Sequence, residues 1–238
     1  MLYPKRRLVV TGSHVFAGDD NDENQTKIQG NSSPVGDESL TDSLSVDHAH
    51  LIKAVLCNPV NRAILERLPA LGLADVWLVS GAVFQTVWNV LTGRPPSYGV
   101  KDYDIFYFDN DASFEAEDAV IRRVAACMSD VCDCVDPRNQ ARVHLWYPDK
   151  FHAPYGPLRR TTEGIDRFLA RVAQVGVQPT DDGYLVHAPH GLDDIATMTV
   201  RPNPCRNFRA EIYAAKAASW TTRWPELTIL HAPEAEQA

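Results

Sequence analysis

The chain has 238 residues, 45% of them apolar and 23% charged, with a formal net charge of −8; that is the make-up of a globular protein with one substantial core. An acidic balance of this kind excludes broad, non-specific binding along nucleic acid, which needs a basic face. No run of ~18 apolar residues occurs, so no transmembrane helix is expected. The five cysteines are odd in number and irregularly spaced, which reads as free thiols and not as a secreted disulfide framework.

Met1 to Val10 carries basic residues but too short an apolar run for a signal peptide, and a cytoplasmic location is the expectation. From about Thr11 to Asp47 the chain is rich in Asp, Asn, Ser and Gly without a sustained period, the signature of a polar, acidic tail. The expected division is a tail over 1–47, a folded domain over 48–230 and a short C-terminal tail over 231–238.

His48 to Cys57 and Asn61 to Leu68 have helical spacing and are separated by Asn58-Pro59. Val76 to Val79 reads as a buried strand that runs into Ser80-Gly81-Ala82, and Val83 to Leu91 as a helix stopped by Thr92-Gly93 and Pro95-Pro96. A strand over Asp102 to Phe108 follows. Ser113 predicts an N-cap for a helix from Phe114 to Met128, with Glu115 and Glu117 near its positive end.

Val131 to Val135 and Arg142 to Tyr147 are strand candidates around Asp136-Pro137-Arg138-Asn139-Gln140. Thr162 caps an expected helix from Glu163 to Ala173; Tyr184 to Ala188 and Thr197 to Arg201 are further strands, and Asn207 to Thr222 closes the order as an amphipathic helix. Helices mixed with adjacent strands place the chain in the α+β class, a small mixed sheet flanked by helices.

The chemistry is concentrated at Asp102-Tyr103-Asp104. Side chains alternate along a strand, so both carboxylates face the same way at close range. Two like charges so placed call for a cation between them, and hard oxygen donors suit Mg²⁺. The strand–Gly81–helix junction upstream aims backbone N–H groups at whatever sits on the helix N-terminus, a natural seat for phosphate. A third carboxylate on a neighbouring strand would complete a cage for two ions; by position alone Asp136 and Asp133 both qualify. Cys127, Cys132 and Cys134 lack Cys-x-x-Cys spacing and are read as thiols.

This ordered pattern resembles the nucleotidyltransferases of DNA polymerase β type, and within them a bacterial family whose acceptors are uncharacterised. The resemblance is carried by Ser80-Gly-Ala-Val-Phe-Gln-Thr-Val-Trp-Asn89, Asp102-Tyr-Asp-Ile-Phe-Tyr-Phe-Asp109, Asp136-Pro-Arg-Asn-Gln-Ala-Arg-Val-His-Leu-Trp-Tyr147, Gly191-Leu-Asp-Asp-Ile195, Val200-Arg-Pro-Asn-Pro204 and Trp224-Pro-Glu-Leu227. It spans roughly Ala74 to Leu230.

What the resemblance implies is transfer of a nucleoside monophosphate from an NTP to an unidentified acceptor, with two Mg²⁺ held by Asp102, Asp104 and Asp136. The resemblance selects Asp136 over Asp133. Gly81 matches the turn glycine; Ala82 stands where related chains carry Ser or Gly, which leaves Ser80 to offer a hydroxyl to phosphate. Lys101, Arg138 and Arg142 are the candidate cations for the triphosphate. The expected partners are therefore an NTP and an acceptor that is a small molecule, a protein or an RNA end, with no membrane and no extended nucleic-acid surface. A non-catalytic nucleotide-binding module and a metal-dependent phosphohydrolase are the other classes these residues allow.

Overall fold

A computed structural model of the protein describes residues 47–231; residues 1–46 and 232–238, which carry nearly all of both expected tails, lie outside the described part. Helix α1, His48–Cys57, starts where the Asp47 carboxylate accepts from the His50 amide at 2.8 Å. Asn58 then caps α2, Pro59–Arg67, with Pro59 in the first turn, where its missing N–H costs nothing. The expected start at Asn61 is therefore two residues late.

Strand β1, Trp77–Val79, is buried along its whole length and leads into α3, Gly81–Leu91. Strand β2, Tyr103–Tyr107, is buried on both faces. Helix α4, Phe114–Cys127, begins at Ser113, whose hydroxyl accepts from the Ala116 amide at 3.2 Å, as the sequence predicts. Strand β3 is Val135–Asn139 and α5 is Val143–Phe151.

These two elements correct the sequence reading. The strand expected over Val131 to Val135 lies instead at Val135–Asn139, and the β-prone run expected as a strand from Arg142 to Tyr147 is helix from Val143. Proline is admitted because β3 lies at the sheet edge. The Tyr103 amide donates to the Cys134 carbonyl and the Gln140 amide to the Tyr107 carbonyl. Even-numbered residues thus turn their backbone groups toward β2, and Pro137 lacks only an N–H that would point outward. Cys132 and Cys134, expected as free thiols, are paired, while Cys57, Cys127 and Cys205 are free.

The expected helix from Glu163 to Ala173 is a short α6, Thr161–Ile165, and a separate 3-10 turn at Arg171–Ala173. Strands β4, Gly176–Thr180, and β5, Gly183–His187, form a hairpin; β4, with Gly176 and Pro179, is absent from the sequence reading. A short α7, Asp193–Ala196, precedes β6, Thr199–Val200. Helix α8 is Ala210–Arg223, and β7, Thr228–Ile229, pairs with β6 as a second small sheet.

The main sheet has the order β3-β2-β1-β4-β5 and is mixed: β2 and β3 are parallel, the other pairings antiparallel. One face packs on α2, α3 and α4, with α1 laid against α3. Tyr103 reaches into that side, where its hydroxyl accepts from Asn58 at 3.1 Å. The other face carries Asp104 and Phe106 and is covered by α5, the segment after α6, and α8. Helix α8 docks through Trp220, whose ring meets Phe84 at 5.2 Å and Trp88 at 6.1 Å.

Candidate active site

Asp104 and Asp136 are register partners across the parallel β2–β3 pair. Opposed residues of neighbouring strands project to the same face, so the fold brings these carboxylates together on the covered side of the sheet. Asp104 is 5% exposed, and Asp102 stands partly buried two residues before it, at the entrance to β2. Asp133 lies in the loop before β3 and stays exposed. The structure thus places Asp136, and not Asp133, beside Asp104.

The field at the site is uneven. Burial pushes the Asp136 carboxyl up to about 6; Arg138 pulls the other way, and the Asp104 charge adds to the rise. Arg138 reaches back along its own strand face, with Nη2 at 2.8 Å from Asp136 Oδ1 and Nε at 3.2 Å from Oδ2. A second cation comes from α8. Lys216 is partly buried, its ammonium pushed down to about 8 by burial while Asp104 and Asp102 favour its charged form. It also lies over the Trp220 ring at 6.0 Å.

Sequence reasoning missed Lys216. The available signal was its place beside the buried stripe Tyr213–Ala217–Trp220, where a charged residue in helical register with core positions asks for a partner.

The other nominated residues fall elsewhere. Arg142 is held by Glu117 of α4 at 2.6 Å with both side chains largely buried, and Glu117 also accepts from the Asn139 amide. Lys101 is exposed beside the strand entrance. Asn139 braces the loop after β2: its amide group donates to the Asp109 carbonyl and accepts from the Asp109 amide.

Ser80 and Gly81 are buried. β1 pairs antiparallel with β2, Leu78 opposite Ile105, so Ser80 and Gly81 leave β1 at the end of the sheet where the chain enters β2. Ser80 adopts φ +54° and ψ −121°, a conformation costly for a side-chain-bearing residue, and its buried hydroxyl has no hydrogen-bond partner.

A cavity opens on the Asp104–Asp136 face. Arg138 and Lys216 stand in its wall with the carboxylates, as do the aromatic rings of Phe106, Tyr147 and Tyr155. It encloses about 910 Å³ when the open solvent at its mouth is included. The carboxylates suit a divalent cation: Asp104 and Asp136 share one face across a strand pair, and burial, with the Asp104 charge adding to it, raises the Asp136 carboxyl.

Comparison with known proteins bears on the fold and the family. A solved NMR structure described as revealing a CCA-adding enzyme head domain superposes with a TM-score of 0.64 at 25% identity, over 79% of this chain and 98% of that one. Among curated proteins no match is found. No helix among the described residues is long and apolar enough to cross a membrane. The family model described as nucleotidyltransferase matches residues 66–229, well over half of the 238 residues, and on that match the chain belongs to the nucleotidyltransferase family.

Proposed function

We propose that the protein transfers a nucleoside monophosphate from an NTP to a hydroxyl-bearing acceptor, with Asp102, Asp104 and Asp136 as the ligands of Mg²⁺ ions. The observation that supports this most is the register of Asp104 with Asp136 on one buried face. When bound, Mg²⁺ supplies charge neutralisation for the triphosphate and for the attacking and leaving oxygens.

The chain's own residues then have distinct tasks. The start of α3, at the end of the sheet where the chain enters β2, receives the phosphates at the positive end of a helix. Lys216 balances the carboxylates and stands ready to meet phosphate charge. Asp136, on the far side of β2 from α3, orients the acceptor hydroxyl and takes its proton. Arg138 must release Asp136 for that carboxylate to serve either role.

The test is incubation with each α-labelled NTP, Mg²⁺ and a cell extract, following label into product. Asp104→Asn and Asp136→Asn are each expected to lower transfer by about 100-fold or more. Unchanged transfer in both variants would overturn the reading. Metal-dependent NTP binding with no transfer would favour a binding module, and release of free nucleotide without acceptor a hydrolase.

A further inference from the structure

The two ends of the site lie on opposite sides of β2. Gly81 and the start of α3 flank it on the β1 side, whereas Asp136, Arg138 and the following α5 flank it on the β3 side. The cavity takes in the second side and reaches toward α3 through Trp220, but Asp104 and Asp136 are in its wall and Ser80, Gly81 and Asp102 are not. Phosphates seated at α3 therefore leave this space to another group.

Its interior has a definite chemistry. Tyr147 packs on Tyr155 at 4.4 Å and on Phe151 at 4.6 Å, and Phe106 stacks on Phe168 at 5.4 Å and 13°. Rings of this kind favour a flat, apolar guest. One polar atom among them lacks a partner. Asn207 is 1% exposed and lines the cavity; its Nδ2 donates to the Arg167 carbonyl and to the Tyr147 hydroxyl, each at 3.1 Å.

The bond to the Arg167 carbonyl fixes the amide orientation, because a carbonyl only accepts. Asn207 Oδ1 is left buried with no hydrogen-bond partner. An orphaned acceptor is costly, and a ligand N–H or O–H would relieve it.

We infer that this cavity is the acceptor pocket, and that the acceptor is a small molecule with a planar aromatic or heteroaromatic ring. The ring carries an N–H or O–H donor for Asn207 Oδ1 and a hydroxyl that reaches Asp136. This assignment rests on the nucleotidyl-transfer reading above. In the step it implies, the acceptor oxygen forms a bond to the α-phosphorus and the bond from that phosphorus to the diphosphate oxygen breaks. Diphosphate leaves, and the hydroxyl proton passes to Asp136.

The probe is indole-3-ethanol, which has a planar ring, one N–H donor and a primary hydroxyl. Two controls accompany it: its N-methyl derivative, and 2-cyclohexylethanol. Binding to the full chain with Mg²⁺ is followed by saturation-transfer NMR and calorimetry, and NTP binding is titrated separately in the same buffer. The indole is expected to bind at least fivefold more tightly than its N-methyl form and to bind alongside NTP. Asn207→Leu should bring the ratio of the two indoles close to one.

Equal binding of all three probes by the wild-type chain overturns the assignment whether or not the variant folds. So does displacement of the indole by NTP, which would give the cavity to the nucleobase. If NTP binding still depends on Asp104, only the acceptor assignment falls; if it does not, the nucleotidyl-transfer reading itself fails.

Discussion

Arg138 holds the carboxylate of Asp136 from a position two residues along the same strand face, with Nη2 and Oδ1 2.8 Å apart. A cation arriving at Asp136 must therefore compete with a guanidinium already in place. Arg138→Gln should tighten Mg²⁺ or Mn²⁺ binding about three- to tenfold, as expected when a competing charge at short range is removed. The KM for NTP should change little in the same variant, because Arg138 lies on the β3 side of β2 and the phosphates at the start of α3. Calorimetry with the metal alone, set beside transfer kinetics, reads both quantities; weaker metal binding would show that Arg138 supports the cage.

The raised Asp136 carboxyl makes stability depend on pH. Its folded-state value, about 6, lies above the ordinary 3.8, so the folded chain holds this proton more tightly than the unfolded one. The associated stability is present below pH 3.8 and is lost as pH rises through 6. The loss amounts to at most about 3 kcal/mol. In EDTA, urea unfolding between pH 4 and 7 should show this slope in the wild-type chain and a flatter profile in Asp136→Asn. Added Mg²⁺ at pH 7.5 should restore stability to the wild-type chain alone.

Lys216 balances Asp102 and Asp104 from α8. Lys216→Met keeps the aliphatic stem against Trp220 and removes the charge. Nucleotide transfer should fall by about tenfold or more, with the thermal midpoint close to that of wild type. A variant with full transfer activity would place Lys216 outside the reaction.

The Glu117–Arg142 pair joins α4 to the start of α5, at 2.6 Å and mostly out of solvent. Glu117→Gln leaves a buried guanidinium without its counter-charge and should cost about 3 kcal/mol of folding stability. Below the unfolding transition, the KM for NTP should be unchanged, since Arg142 is tied to the frame and is not in the cavity wall. A raised KM in Glu117→Gln would return Arg142 to the phosphate site.

Ser80 holds φ +54° and a buried hydroxyl without a partner. Ser80→Gly relieves both burdens and should stabilise the fold by about 1 to 2 kcal/mol. If NTP affinity is unaltered, the hydroxyl serves no phosphate.

Much of this was legible in the sequence because its signals are local. Ser113 marks a helix start through its own chemistry, and the Asp102–Asp104 spacing declares a shared face. The misses depend on what lies across the sheet. Pro137 reads as a breaker until β3 is known to be an edge strand whose odd-numbered amides face outward. The Val143-His-Leu-Trp-Tyr147 run is β-prone by composition, yet packing of Val143 and Tyr147 against Ala153, Tyr155 and Leu158 makes it a helix. Lys216 is one charged residue on one helix; only the approach of α8 to β2 gives it carboxylate partners.

The outward edge of β3 offers little to a newcomer. Pro137 has no amide hydrogen there, and the Asn139 amide is already given to Glu117 at 3.1 Å. A strand from another molecule could not zip onto this margin, so the border carrying Asp136 is guarded against the sticking that open sheets invite. The opposite border, β5, keeps an unbroken backbone and an exposed Leu185. Among the described residues, β5 is the main-sheet edge open to strand pairing, on the far side of the sheet from the carboxylates.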